Sequence, residues 1–258
     1  MSDRFDPIPA AETLAEASRS GQRLQALPEA IRPRTLAEGY DVQDRLIERL
    51  GDSVAGWKLG VGSHKGKRES GIGRAIAGRI LSRRVHQPGD AIPLPHDGLV
   101  TVEFEIAYVL GRNVGSGEVV ADPQSVVAET RVAFELVLSR FVDRRVVGWP
   151  SFAADNAAFE ALVLGPDIDG TAIARVAETL VVEADGVEKA LIATGEDEVV
   201  PANGLADLLA IARDRGMVLP RGSIVSTGTI SVPFNLTAAA QITARYLDRD
   251  LHFSITRP

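Results

Sequence analysis

Apolar residues recur on one helical face over residues 10–27, at Leu14, Ala17, Leu24 and Leu27, after Asp6-Pro7 and Pro9. A second stripe, Tyr40, Val42, Leu46, Ile47 and Leu50, predicts a helix over 36–50. Thr35 stands where an N-cap belongs, three residues before Glu38, and Gly51 is a fitting stop. From residue 53 the pattern changes. Residues 53–62 (S-V-A-G-W-K-L-G-V-G) predict a short strand broken by glycine. Residues 63–75 are polar, basic and glycine-rich, which predicts a mobile loop. A short strand is expected over 78–81, and Pro88-Gly89-Asp90 and Pro93 through Gly98 mark turns.

Residues 100–110 (V-T-V-E-F-E-I-A-Y-V-L) alternate as a strand does. Val102, Phe104, Ile106 and Tyr108 share one face, and Glu103, Glu105 and Ala107 share the other. Asp122-Pro123 predicts a helix over 125–132. Residues 133–141 alternate again, with Phe134, Leu136 and Leu138 opposite Glu135, Val137 and Ser139. A short apolar run follows at 161–164. Asp185-Gly186 between two apolar runs signals a hairpin. Asn203 is placed to cap a helix over 204–213, Ile224-Val225 enters the sequence S-T-G-T at 226–229, and strands are expected over 239–247 and 251–256.

The succession is many short strands of mixed spacing, with few helices after residue 50 and no βαβ rhythm. It predicts a β-rich α+β fold, with a helical region over 1–52 and a β-rich catalytic domain over 53–258 forming a single unit. The glycine patterns support neither a dinucleotide-binding domain nor a phosphate loop.

Composition narrows the chemistry. The 258 residues are 45% apolar and 24% charged, as in an ordinary globular enzyme, and the net charge of −7 argues against nucleic acid or an anionic membrane as partner. With no cysteine, thiolate catalysis and thiolate zinc sites are excluded. No secretory signal pattern opens the chain and no apolar run reaches bilayer length, so the cytoplasm is the expected location.

Two glutamates on one face of an apolar strand repel each other at a cost unless a cation lies between them. Glu103 and Glu105 are therefore candidate ligands, and Glu135, alone in an apolar alternating run, is a third. Carboxylates without cysteine or clustered histidine suit Mg²⁺ or Mn²⁺ better than zinc. The plainer alternatives are an exposed Glu103–Glu105 face paired with arginines, and a solvent-facing Glu135. Lys58, between Trp57 and Leu59, is either a partly desolvated proton carrier or a lysine that snorkels to the surface. Lys65 and Lys67 either stay solvated or close over an anionic substrate. Asp155-Asn156 either supplies a ligand, orients Lys58, or forms a plain Asx turn. The donors of 226–229 suit a carboxylate, or form a turn. None of His64, His86, His96 and His252 has a ligand-like partner by spacing, so all four are expected to be non-catalytic, with His64, in the predicted loop, the least secure.

Several segments in order resemble the 2-keto-4-pentenoate hydratase and 4-oxalocrotonate decarboxylase group of the fumarylacetoacetate hydrolase superfamily. They are residues 32–43 (R-P-R-T-L-A-E-G-Y-D-V-Q), 56–63 (G-W-K-L-G-V-G-S), 102–110, 134–140 (F-E-L-V-L-S-R), 154–165 (A-D-N-A-A-F-E-A-L-V-L-G) and 224–229 (I-V-S-T-G-T). The resemblance implies a mixed-sheet β roll of the fumarylacetoacetate hydrolase C-terminal type with an N-terminal helical region. It implies Mg²⁺ or Mn²⁺ on Glu103, Glu105 and Glu135, and Lys58 as the active-site lysine assisted by Asp155. Thr227, Gly228 and Ser63 are expected beside the substrate. That substrate would be a small 2-oxo or 2-hydroxy-dienoic acid of aromatic breakdown, and the protein a homo-oligomer. Two departures stand out: Ala157-Ala158, where many members carry serine, and a segment over 63–80 that is shorter and more basic. Hydration of a 2-hydroxy-2,4-dienoate is the leading expectation. Decarboxylation of a 2-oxo-3-enedioate, C–C hydrolysis of an acylpyruvate and a non-catalytic member of the fold are the alternatives.

Overall fold

The alternation in residues 100–110 shapes the whole molecule. The computed structural model describes residues 5–258, and there this segment is one unbroken strand inside a large mixed sheet. In chain order the strands are β1 (Val54–Gly60), β2 (Ile76–Leu81), β3 (Val85–His86), β4 (Ala91–Pro93), β5 (Val100–Leu110), β6 (Val127–Val137) and β7 (Phe159–Ile168). They continue with β8 (Val181–Ala184), β9 (Val187–Ala190), β10 (Ile224–Thr229), β11 (Phe234–Leu236), β12 (Ala240–Tyr246) and β13 (Arg249–Thr256). One sheet runs β2-β1-β10-β5-β6-β7-β3, with β11 also on β5, and the other runs β4-β13-β12-β8-β9. The β1–β10, β3–β7 and β4–β13 pairs are parallel, while β5 is flanked by antiparallel neighbours. The helices are α1 (Ile8–Ser20), α2 (Leu36–Leu50), α3 (His64–Ser70), α4 (Trp149–Ala154), α5 (Ile173–Thr179) and α6 (Pro201–Asp214). This is the β-rich α+β fold that the pattern predicts. Among the described residues no helix is long and apolar enough to cross a membrane.

The core lies between the sheets. Val102, Phe104, Ile106 and Tyr108 of β5 pack with Ile242, Tyr246 and Phe253 of the smaller sheet. Phe104 meets Phe134 edge-on at 5.1 Å between centroids, and Phe134 lies 5.1 Å from Phe253. Such pairs each contribute about 0.5–1.5 kcal/mol beyond their buried area. With the apolar face committed here, every odd-numbered residue of β5 from Thr101 to Ala107 lies on the opposite face.

α2 has the predicted bounds, and Thr35 and Glu38 form a full capping box. Gln43 ties α2 to the sheet, its Nε2 donating to the carbonyls of Ala77 at 3.0 Å and Ala153 at 2.7 Å. Other expectations need correction. The first helix stops at Ser20, because Gly21 takes the left-handed conformation at φ 70°. Leu24 and Leu27 lie beyond it, though Leu27 still buries against Leu14, Val42 and Leu46. The expected loop over 63–75 contains α3, which Ser63 caps through the amide of Gly66 and Gly71 ends at φ 68°. The expected helix over 125–132 is instead the first half of β6, entered through a single 3₁₀ turn at Pro123–Val126. Pairing with the long β5 overrides the local helix signal of Asp122-Pro123. Asn203 lies inside α6 and does not cap it; Val200 is the N-cap and Pro201 sets the first turn.

Candidate metal centre

Antiparallel pairing of β5 with β6 sets Glu103 directly across from Glu135, on the face away from the aromatic core. Glu105 follows Glu103 on the same face. The three carboxylates each bring an oxygen within 4.8 Å of the other two. Glu105 and Glu135 are sealed from solvent, and Glu103 is partly open. From the other side, β10 fixes Glu105: its Oε2 accepts from Ser226 Oγ at 2.5 Å and from the Gly228 amide at 3.0 Å. Lys58 of β1 is buried with them, its Nζ 2.8 Å from Glu135 Oε1 in an ion pair. Beyond that contact, Glu135 Oε2 and Glu105 Oε1 are buried acceptors without a hydrogen-bond donor.

Burial raises the Glu105 carboxyl well above the usual carboxylate range, and the charges of Glu135 and Glu103 add to this. Burial likewise lifts Glu135 to about 7, against the pull of Lys58 and with a push from Glu103. Three carboxylates converge here, and two of their buried oxygens have no partner. One ammonium group does not balance their charge. A divalent cation taking oxygen ligands fits this donor set.

A cavity of about 600 Å³ opens over the cluster. Lys58, Glu103, Ser63 and Gly228 line it, with Phe152 and Val137 as apolar wall. Gly228 is at φ 100°, where a Cβ would stand 3.2 Å from the Leu59 carbonyl oxygen, so glycine lets the backbone amide face Glu105.

No family model matches the chain. A 2-keto-4-pentenoate hydratase of Paraburkholderia phymatum is 30% identical over 250 residues, covering 91% of each chain. The chain belongs to the 2-keto-4-pentenoate hydratase and 4-oxalocrotonate decarboxylase group. A 4-oxalocrotonate decarboxylase of a Pseudomonas species is 28% identical over 227 residues, covering 84% of this chain and 85% of that one. The fold also matches the solved 4-oxalocrotonate decarboxylase of Pseudomonas putida G7, complexed with magnesium and adipate. The TM-score is 0.84 at 22% identity, over 98% of this chain and 97% of that one. Like the hydratases it resembles, the chain is a lyase.

Within this member of the hydratase–decarboxylase group, the expected residues divide. Lys58, Glu103, Glu105, Glu135, Gly228 and Ser63 come together at the cluster or its cavity. Thr227 and Asp155 do not. Strand alternation turns the Thr227 side chain away from Glu105, and its hydroxyl donates to the Ile106 carbonyl at 2.7 Å. The neighbouring Ser226 reaches the glutamate instead. Asp155 is fully buried at the end of α4, ion-paired to the Arg140 guanidinium and accepting from Ser139 Oγ at 2.7 Å. Burial raises its carboxyl, and Arg140 opposes the shift.

Asn156 links this buried pair to the site. Its Oδ1 accepts from the Arg79 amide at 2.6 Å and its Nδ2 donates to the Arg79 carbonyl at 2.9 Å. It opens a left-handed turn, with φ of 53°, 49° and 58° at Asn156, Ala157 and Ala158. The turn presses on Gly78, the partner of Lys58 across β1 and β2. Ala157 and Ala158 are fully buried in the core and do not line the cavity, so the missing serines leave no gap in its wall. Lys67 pairs with Asp207 away from the cavity, and Lys65 pairs with Asp197, which lines it; neither lysine is itself part of the wall. Sequence reasoning names Ser226 only within the donor run 226–229 and does not single out Phe152 or Arg144. Ser226 was within reach of the alternation rule; the other two carry no periodic signal.

Proposed function

We propose that the chain is a divalent-metal-dependent hydratase, adding water to a 2-hydroxy-2,4-dienoate to give a 4-hydroxy-2-oxo acid. The observation that carries this reading is the convergence of Glu103, Glu105 and Glu135 within 4.8 Å beside the buried Lys58. Those three glutamates would hold Mg²⁺ or Mn²⁺. When bound, the ion supplies positive charge to the C1 carboxylate and C2 oxygen of the substrate.

The protein's own groups do the rest. Ser226 and the Gly228 amide tie one oxygen of Glu105 and leave the other to the cluster. Lys58 lines the cavity and holds a proton at Nζ, positioned to protonate carbon as the dienol becomes a conjugated ketone. Phe152 and Val137 shelter the hydrocarbon chain, while the open side of the cavity admits the water that adds at C4. Hydrolysis of an acylpyruvate asks for a base beside the attacking water, and no histidine lines the cavity.

Decarboxylation of a 2-oxo-3-enedioate is the second reading, supported by the 28% identical relative of that name. It would use the same metal, held by the same three glutamates, and need no added water. Turnover of 2-hydroxypenta-2,4-dienoate and of 4-oxalocrotonate with and without Mn²⁺, followed by product mass, tests both. A gain of one water on the first substrate supports hydration, and loss of CO₂ from the second supports decarboxylation. Metal-independent turnover, or none on either acid, would reject the proposal.

A further inference from the structure

We infer that Phe152 and Trp149 hold an apolar substituent on C5 of the dienoate, so that the site takes a monoacid carrying an aryl or alkyl tail in preference to the unsubstituted five-carbon acid. This rests on the metal-centre and hydration readings above and adds to them what the far end of the substrate carries.

The reaction itself says where C5 lies. When a 2-hydroxy-2,4-dienoate becomes a conjugated ketone, the proton goes to C5; on C3 it would break the conjugation that addition at C4 needs. C5 therefore comes to the Lys58 ammonium, within reach of its proton. The Phe152 ring lies beside that ammonium. A Cβ built on Gly60 would stand 3.7 Å from Lys58 Nζ and 3.7 Å from two atoms of the ring. Gly60 carries no side chain, so the slot between the two stays open. A group attached to C5 leaves the ammonium along the face of Phe152.

The apolar wall continues in that direction. Trp149 stands three residues before Phe152 on α4, on the same helical face, and the two rings meet edge-on at 5.9 Å between centroids. Both line the cavity. Phe152 is buried, but Trp149 is 38% exposed, as is Val232 of the same wall at 49%. The volume of about 600 Å³ falls within the roughly 300–1,000 Å³ of sites for drug-sized ligands. A five-carbon acid that ends at Lys58 leaves the indole and Val232 to water, whereas an apolar tail covers them. The charged groups of the wall are engaged elsewhere. Arg145 pairs with Asp143 and Asp197 with Lys65. Arg144 turns to Thr101 on β5, while α4 packs by β2, and β1 and β10 lie between those two strands.

The test is calorimetric and needs no turnover. The full-length protein, loaded with Mn²⁺, is titrated with 2-oxopentanoate and with 2-oxo-5-phenylpentanoate, which share the chelating end and the five-carbon chain and differ only in the phenyl group on C5. The phenyl acid is expected to bind at least tenfold tighter. In Trp149→Ala the gap closes because the phenyl acid weakens, and Trp149→Phe keeps most of it. Retained Mn²⁺ binding shows that each variant is folded. Equal affinities in the wild type, a gap that survives Trp149→Ala, or binding of neither acid to the Mn²⁺-loaded protein would overturn the inference while sparing the metal centre. Failure of the wild type to bind Mn²⁺ would remove the metal centre and this inference together. Hydration is judged separately, by the product masses above.

Discussion

Lys58 Nζ and Glu135 Oε1 stand 2.8 Å apart, and neither residue reaches solvent. The ammonium both offsets the glutamate charge and repels any cation the glutamates hold. Replacing it with methionine, of similar length, separates these effects. Lys58→Met is expected to lower turnover at least about a hundredfold, the usual loss for a general acid. Mn²⁺ should bind it no more weakly than it binds the wild type, since a repelling charge has gone. Weakened Mn²⁺ binding by calorimetry would argue that Lys58 serves only to build the site.

Glu105→Gln tests the cluster from its other side. Glutamine can still accept from Ser226 and Gly228, and burial already favours the uncharged form of Glu105. The metal-free variant should melt no lower than the metal-free wild type. Mn²⁺ at about a hundred times its dissociation constant should stabilise the wild type by about 2.7 kcal/mol and the variant by far less. An equal rise in melting temperature for both would refute a role for Glu105 as ligand.

His96 provides a pH signature away from the site. Burial lowers its pKa to about 4, and the charges of Arg23, Arg140 and Arg257 push the same way. Below its ordinary value of 6.5 the unfolded chain takes up a proton that the folded chain refuses. The unfolded state then binds more protons, so stability falls as pH drops from 6.5 towards 4. Thermal melts at pH 7 and pH 5 should show a smaller acid-induced drop for His96→Gln than for the wild type. Parallel drops would mean that His96 titrates normally in the fold.

Gly78→Ala should disturb the site without touching it. A Cβ there would stand 2.5 Å from the Asn156 carbonyl oxygen, so β2 or the left-handed turn must move. Overpacking of this kind costs about 1–3 kcal/mol. Because Gly78 is registered against Lys58, turnover should fall along with stability while Mn²⁺ binding persists. Unchanged melting would show that the contact is slack.

Legibility followed periodicity. Val100–Leu110 carries both its strand and its two faces in alternation, and the same rule on residues 133–137 sets Glu135 opposite the core. α2 announced itself by stripe and caps. Where the partner came from far along the chain, local signals misled. Residues 127–132 carry a helix-start signal at Asp122-Pro123 yet join β5. The resemblance places Asp155 beside Lys58, but its partner is Arg140, reached only by folding. The resemblance points to Thr227, whereas alternation alone favours Ser226. Arg144 sits in an irregular connection, and only its placement beside Thr101 brings it to notice.

The helix α3, which borders the cavity through Ser63, has no buried residue. It is fastened by Lys65 to Asp197, Lys67 to Asp207 and Arg68 to Glu196. Mobile ions shield such surface pairs, and at 1 M salt the range of attraction shrinks to about 3 Å. One rim of the cavity is thus held chiefly by ion pairs. Brine should unfasten it while the greasy interior between the sheets stays shut.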